Sequence, residues 1–134
     1  MTALTGFYDR DMVNQCLMYR YLISYEPFNF TGWPHDFPDT IAYGNQMDAL
    51  RTELRRYFWD GEFRDTQVAD VVLENGTPHH PYAVFQACDG SLGLVITNYE
   101  DPEICVTAVL ENTPHLRYRL IDDPTWQNGD NGIA

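Results

Sequence analysis

The chain contains no lysine. Its eight cationic side chains are all arginine, set against twenty Asp and Glu, for a formal charge of −12 and a pI near 4.4. Nucleic-acid recognition needs clustered cations that displace counterions from phosphates. This charge balance therefore argues against DNA, RNA and anionic membrane surfaces as partners. Cysteine is equally sparse: Cys16, Cys88 and Cys105 lie far apart with no CxxC, so neither a zinc site nor a redox motif is indicated. They read as small buried apolar residues, with a Cys88–Cys105 bridge left open. No apolar run is long enough to cross a bilayer. The opening MTALTGFYDRDM has neither the basic flank nor the apolar core of a signal peptide. The expectation is a soluble chain with no membrane partner.

What is present suits a globular core. The chain has 134 residues, of which 44% are hydrophobic and 21% charged. Folding at this length buries roughly two-thirds of the unfolded surface. Fourteen of the nineteen aromatic residues fall in positions 1–63, and the periodicity changes at the same place. Two segments are expected: a helical one with an aromatic loop, 1–63, and an antiparallel β domain, 64–134. The fold class is α+β, a helical segment followed by a small antiparallel β-sandwich or meander.

In the first segment Met12, Val13, Cys16, Leu17, Tyr19 and Ile23 recur at threes and fours, which predicts a helix from about Asp11 to Ser24. Prolines at 27, 34 and 38 then exclude a continuous helix across the loop. Met47, Leu50, Leu54, Tyr57 and Phe58 form a second stripe, with Asn45 as the expected N-cap and Gly61 as a left-handed stop. In the second segment five strands are expected: VADVVLE, PYAVFQAC, SLGLVITN, EICVTAVLE and HLRYRLID. Asp89-Gly90 is the strongest hairpin signal. In the last strand Leu116, Tyr118 and Leu120 point one way and Arg117 and Arg119 the other. Val72–Tyr82 echoes Val109–Tyr118 and raises the question of a two-fold repeat. The junction ELRRYFWDGEFRDT reads as a seam, with Tyr57 and Phe58 completing the helix stripe and Trp59 packing onto the sheet.

Candidate chemistry concentrates in the loop 25–39. Glycoside cleavage needs two carboxylates roughly 5 to 10 Å apart, and Glu26, Asp36 and Asp39 are the plausible local set. Rings beside acids suit sugars, because C–H faces stack on aromatics while hydroxyls bond to carboxylates. Tyr25, Phe28, Phe30, Trp33 and Phe37 supply rings, but phenylalanine offers no polar handle. Tyr25, Glu26, Trp33 and Asp36 are the candidate ligand-binding residues, and no residue is assigned to catalysis. His35, His79, His80 and His115 show neither HxH nor HExxH spacing, so no metal is expected. His79 and His115 read as exposed turn residues. Ser and Cys have no nucleophile elbow, and no cofactor motif is present. Asn29 and Asn75 match glycosylation sequons.

LRTELRRYFWDGEFRDT, followed by YAVFQACDGSLGLVITNYED, resembles the C-terminal part of barrel-type glycoside hydrolases and their relatives. The resemblance is clearest from Leu50 to Asn98 and includes a V-x-N strand matched by Val95-Ile96-Thr97-Asn98. It implies the last helices of a barrel running into a small antiparallel β-sandwich. A complete (β/α)₈ barrel needs about 200–250 residues, so the carboxylates that cleave the glycosidic bond would lie upstream of this chain. The implied function is a non-catalytic accessory region of a carbohydrate-active protein, partnered by an upstream catalytic domain or by a second copy. The alternatives are an independent carbohydrate-binding module using the loop 25–39, or a small self-sufficient α+β enzyme.

Overall fold

The computed structural model describes residues 2–4, 10–27, 32–99, 102–113 and 115–129, with the main chain alone for 2–4, 26 and 27. The protein is α+β. It divides into two compact units, Met1–Leu54 and Arg55–Ala134.

In the first unit β1 (Thr2–Leu4) pairs in parallel with β2 (Tyr25–Pro27), and α1 (Arg10–Tyr19) packs with α2 (Pro38–Glu53). A 3₁₀ turn, Pro34–Asp36, precedes α2. The core holds Val13, Cys16, Leu17 and Met18 from α1 with Met47 and Leu50 from α2. Helix α1 stops five residues short of the expected end. Arg20 takes a left-handed φ of 60°, and the Tyr21 N–H turns back to the Cys16 carbonyl at 3.0 Å. That geometry is a Schellman stop, usually made by glycine or asparagine, and arginine there gives no sequence signal. The stop leaves Tyr19 exposed and makes Met18 the core residue. Helix α2 starts earlier than expected. Pro38 occupies its first turn and Pro34 opens the 3₁₀ turn. Both use a preset φ where a missing N–H costs nothing. The helix ends at Glu53, so the expected second stripe is cut. Tyr57 and Phe58 belong to a separate short helix, α3 (Arg55–Phe58).

The second unit is a small antiparallel sandwich. One sheet has the order β3 (Glu62–Asp65), β5 (Tyr82–Gln86), β6 (Leu92–Ile96), and the other pairs β4 (Ala69–Leu73) with β7 (Val106–Leu110). A third, two-stranded sheet joins β8 (Leu116–Tyr118) to β9 (Gln127–Gly129). Strand β5 is buried at four successive residues, Tyr82 to Phe85, because both its faces are covered. Tyr82 and Val84 join Ala69, Val71, Ala108 and Leu110 in the core between the sheets. On the opposite face Phe85 meets Phe58 at 5.0 Å and Phe63 at 5.6 Å between ring centroids. The seam is thus made by Phe58 and Phe63, tilted pairs worth about 0.5–1.5 kcal/mol each beyond their burial. Strands β4 and β7 are covered on one face only, and Val109 on β7 is 58% exposed.

The β5–β6 hairpin forms as expected, with a longer turn. The Gly90 N–H bonds to the Ala87 carbonyl and the Ala87 N–H to the Ser91 carbonyl, both at 2.9 Å. Cys88 and Asp89 occupy the turn centre with ordinary φ, and Gly90 alone is left-handed at φ 84°. This is a type I turn followed by a glycine bulge. It places Cys88 in solvent, and Cys105 is also exposed. Only Cys16 is the buried apolar residue that all three were expected to be. Since nothing lies within 4 Å of an added Cβ at Gly90, its substitution tests backbone conformation alone. Gly90→Val is expected to destabilise by about 1–2 kcal/mol, seen as a lower denaturation midpoint with an unchanged slope. An unaltered midpoint would refute the requirement for positive φ.

The echoed segments do not make a repeat. Their opening strands, β4 and β7, pair with each other, but their closing strands, β5 and β8, lie in different sheets. His79 is also not an exposed turn residue. Its N–H bonds to the Val71 carbonyl and its Nε2 lies 2.8 Å from the Thr97 carbonyl, which buries the ring. His115 is exposed.

Candidate functional site

Of the residues expected to bind a ligand, Trp33 and Asp36 come together. The Trp33 N–H donates to Asp36 Oδ2 at 2.7 Å, closing the 3₁₀ turn. His35 Nε2 lies 3.5 Å from the other carboxylate oxygen. The indole itself projects into solvent at 68% exposure. Glu26 lies in β2, and its side chain is outside the described residues, as are Phe28 and Phe30.

Tyr25 points elsewhere. Its hydroxyl is buried and has no hydrogen-bond partner among the described residues. Burial pushes the phenol above its ordinary pKa; Asp48 and Cys16 add to the shift and Arg51 opposes it. The ring approaches α2 at Gly44, where a methyl group would sit 1.8 Å from the phenol oxygen and 3.0 Å from the carbon bearing it. Gly44→Ala is expected to cost about 1–3 kcal/mol by overpacking. Tyr25→Phe alone should be neutral or stabilising, since it removes a buried unpaired hydroxyl. In a double-mutant cycle the phenylalanine should recover part of the alanine's cost; strict additivity would refute the contact.

Arg51, a charged residue one turn beyond Met47 on the face of the expected stripe, is 2% exposed. Its Nη1 donates to the Tyr21 carbonyl at 2.8 Å and the Cys16 carbonyl at 3.5 Å, and its Nη2 to Asp48 Oδ1 at 2.5 Å. Nearby, Tyr43 Oη donates to Asn14 Oδ1 at 2.7 Å. This cluster secures the end of α1. It holds one carboxylate, a phenol and a guanidinium, with no nucleophile aligned to a base.

In the second unit the residues of the V-x-N match are structural. Val95 is in the core, Thr97 Oγ1 donates to the Pro81 carbonyl at 3.2 Å, and Asn98 Nδ2 to the Pro102 carbonyl at 2.9 Å. Asp89 accepts from the Ser91 hydroxyl and N–H and pairs with Arg56. The Ser91 hydroxyl, then Arg56, hold its carboxyl well below the usual range. An open depression lined by Leu73, Glu74, Asn75 and Cys105 offers one acid and one thiol. Among the described residues no group of three His, Cys, Asp or Glu could hold a metal, and no helix is long and apolar enough to cross a membrane.

The feature the sequence reading missed is on β8 and β9. Arg117 and Arg119 lie over the ring of Trp126, their guanidinium carbons 5.5 and 5.3 Å from its centroid. The alternation of HLRYRL placed both arginines on one face, but no local pattern links them to an indole nine and seven residues on. Comparison with protein-family models, with curated proteins and with solved structures found no match to this chain.

Proposed function

We propose that the chain is a non-catalytic accessory region of a glycoside-hydrolase-like, carbohydrate-active protein, and that its helical unit rests against the catalytic domain. The supporting observation is the apolar surface of that unit. Tyr21, Leu22 and Trp33 are 56%, 74% and 68% exposed. Fully burying a leucine or phenylalanine is worth roughly 1.5–3 kcal/mol, so covering these side chains would favour association with a larger body or with a second copy. The order of helices followed by an antiparallel sandwich agrees with the resemblance over Leu50 to Asn98. The acidic charge suits neutral or carbohydrate partners and opposes nucleic acid.

The test starts from the coding sequence. A barrel domain in the same reading frame is expected, and deleting this region should lower that domain's melting temperature with little change in kcat/KM on a soluble substrate. Turnover of aryl glycosides by the purified chain, abolished in Glu26→Gln, would overturn the reading. If the chain is studied alone, sedimentation at several concentrations should show self-association that Leu22→Asp weakens.

The 68% exposure of Trp33 beside Asp36 also favours a second reading, an independent carbohydrate-binding module. Retention on a neutral polysaccharide that Trp33→Ala abolishes would establish it.

A further inference from the structure

Strand β6 carries no charge. From Ser91 to Asn98 the sequence reads SLGLVITN, in a chain of formal charge −12. It is also an edge strand: its sheet runs β3, β5, β6, and no strand follows β6 among the described residues. Register fixes what that edge offers. The Ala87 N–H bonds to the Ser91 carbonyl and the Thr97 N–H to the Pro81 carbonyl. In the same ladder Gly93 and Val95 therefore aim their main-chain groups at β5, while Leu92, Leu94 and Ile96 aim theirs outward.

An open strand edge is a template for pairing, and sheets blunt it with charge, a bulge or cover. The other edges of the sandwich are blunted in these ways. Strand β3 carries Glu62, Arg64 and Asp65, and its register shifts between Phe63 and Asp65, where φ is 55°. The free side of β4 is taken up by the next loop: the Leu73 N–H bonds to the Thr77 carbonyl and the His79 N–H to the Val71 carbonyl, both at 2.8 Å. On β7 Ala108 is 1% exposed, main chain included, which leaves no approach for an added strand. Strand β6 has neither charge nor bulge, and Leu92, Gly93, Leu94 and Ile96 are only half-buried. Leu92, Leu94 and Ile96 pack against the core between the sheets. On the opposite face the Tyr57 ring takes the place of the side chain that Gly93 lacks; an added Cβ would lie 3.0 Å from it.

We propose that β6 pairs antiparallel with β6 of a second copy, about a two-fold axis at Leu94, and so joins the two three-stranded sheets into one. The strand is self-complementary about that residue. Leu94 meets its own copy, Leu92 meets Ile96 on the core face, and Gly93 meets Val95 on the other, beside Tyr57. All three outward residues then exchange main-chain bonds, and the half-buried side chains of each rim cover those of the other. Charge selects a second copy as the occupant. An acidic chain repels its own copies, so they must meet where charge is absent. The neutral strip from Ser91 to Asn98 provides that place, and the ion pair at its start, Arg56 with Asp89, is already neutralised. The joined sheet ends on β3 at both sides, the blunted edge, so assembly closes at two copies. This contact belongs to the sandwich unit and is separate from the apolar surface of the helical unit.

The experiment is sedimentation velocity of the full chain across a concentration series, with every variant made in a Leu22→Asp background so that the helical surface does not contribute. That background should show a monomer–dimer equilibrium with no larger species. Leu94→Pro removes an N–H that β5 does not use, at an edge position where proline is accepted. It should weaken the dimer by about tenfold or more, since the two-fold axis doubles the loss of a hydrogen bond. Leu92→Lys and Ile96→Glu should each weaken it too. An equimolar mixture of these two should recover the dimer, because the register sets residue 92 opposite residue 96. Gln67→Lys, in an exposed turn of the same unit, should stay within about twofold of the background. Circular dichroism establishes that each variant is folded, and the charged pair carries the test should the proline variant unfold. The proposal is overturned if the Leu22→Asp chain is monomeric throughout, which would assign any association of the parent to the helical unit. It is also overturned if association grows without a dimer plateau, if Leu92→Lys and Ile96→Glu associate as the background does, or if mixing them recovers nothing. The accessory reading is judged separately, by the stability of the catalytic domain.

Discussion

Gly61→Ala is expected to destabilise the sandwich unit by about 3 kcal/mol, the upper end of what overpacking a closed site costs. An added methyl would lie 2.6 Å from the Tyr57 carbonyl, 2.8 Å from the Gln86 carbonyl and 2.9 Å from the Arg56 carbonyl. All three are main-chain atoms, so no side chain can swing aside. Gln86 sits in the middle strand of its sheet, paired with Glu62 on one side and Leu92 on the other. The carbonyls of α3 are tied to the same sheet through Phe58 on Phe85. Relief therefore requires separating α3 from β5 and weakening the aromatic seam. The glycine is needed here for close approach. It has no left-handed φ, contrary to the expectation that it stops the helix. Chemical denaturation should show a midpoint well below that of Gly76→Ala, where nothing lies within 4 Å and only a φ of 82° opposes the substitution. Equal losses at the two glycines would refute the steric account.

Arg51→Ala is expected to cost the helical unit about 3–5 kcal/mol, the range for breaking a buried charged network. Helix α1 carries no basic residue in its last turn, and its stop at Arg20 leaves carbonyls turned inward. Arg51 brings a cation to them from α2, where the helix dipole favours it. Its partner Asp48 is 54% exposed by side chain, so the ion pair itself contributes under about 1 kcal/mol after screening. The loss thus comes mainly from the Tyr21 and Cys16 carbonyls and from the vacated volume. Three substitutions separate these. Arg51→Met keeps bulk and loses the hydrogen bonds, Arg51→Lys keeps charge and loses the fork, and Asp48→Asn removes only the exposed acid. The expected order of destabilisation is Ala, then Met, then Lys, with Asp48→Asn close to the parent. A loss in Asp48→Asn as large as in Arg51→Ala would shift the weight back to the ion pair.

Much of the second unit was legible. Alternation in HLRYRL and the turn residues around Gly90 are local, and with the other apolar runs they placed β4 to β8 and the hairpin, while β3 and β9 were not expected. The unbroken apolar run Tyr82 to Phe85 is the mark of a strand covered on both sides. Less of the first unit was legible, because its decisive residues break local rules. Arginine takes the left-handed position that glycine usually fills, two prolines open helices where they read as loop, and a charged Arg51 is buried where a stripe of apolar residues was expected.

The helices α1 and α2, the five strands β4 to β8 and the β5–β6 hairpin were legible in the sequence itself, because each depends on neighbours within a few residues along the chain; β1, β2, β3 and β9 carried no such local signal. The tertiary structure alone decided that Gly61 must lack a side chain, that Arg51 serves the end of another helix, and that Trp126 carries two arginines. These depend on atoms brought together from distant positions, and their energies arise only once the intervening chain has folded.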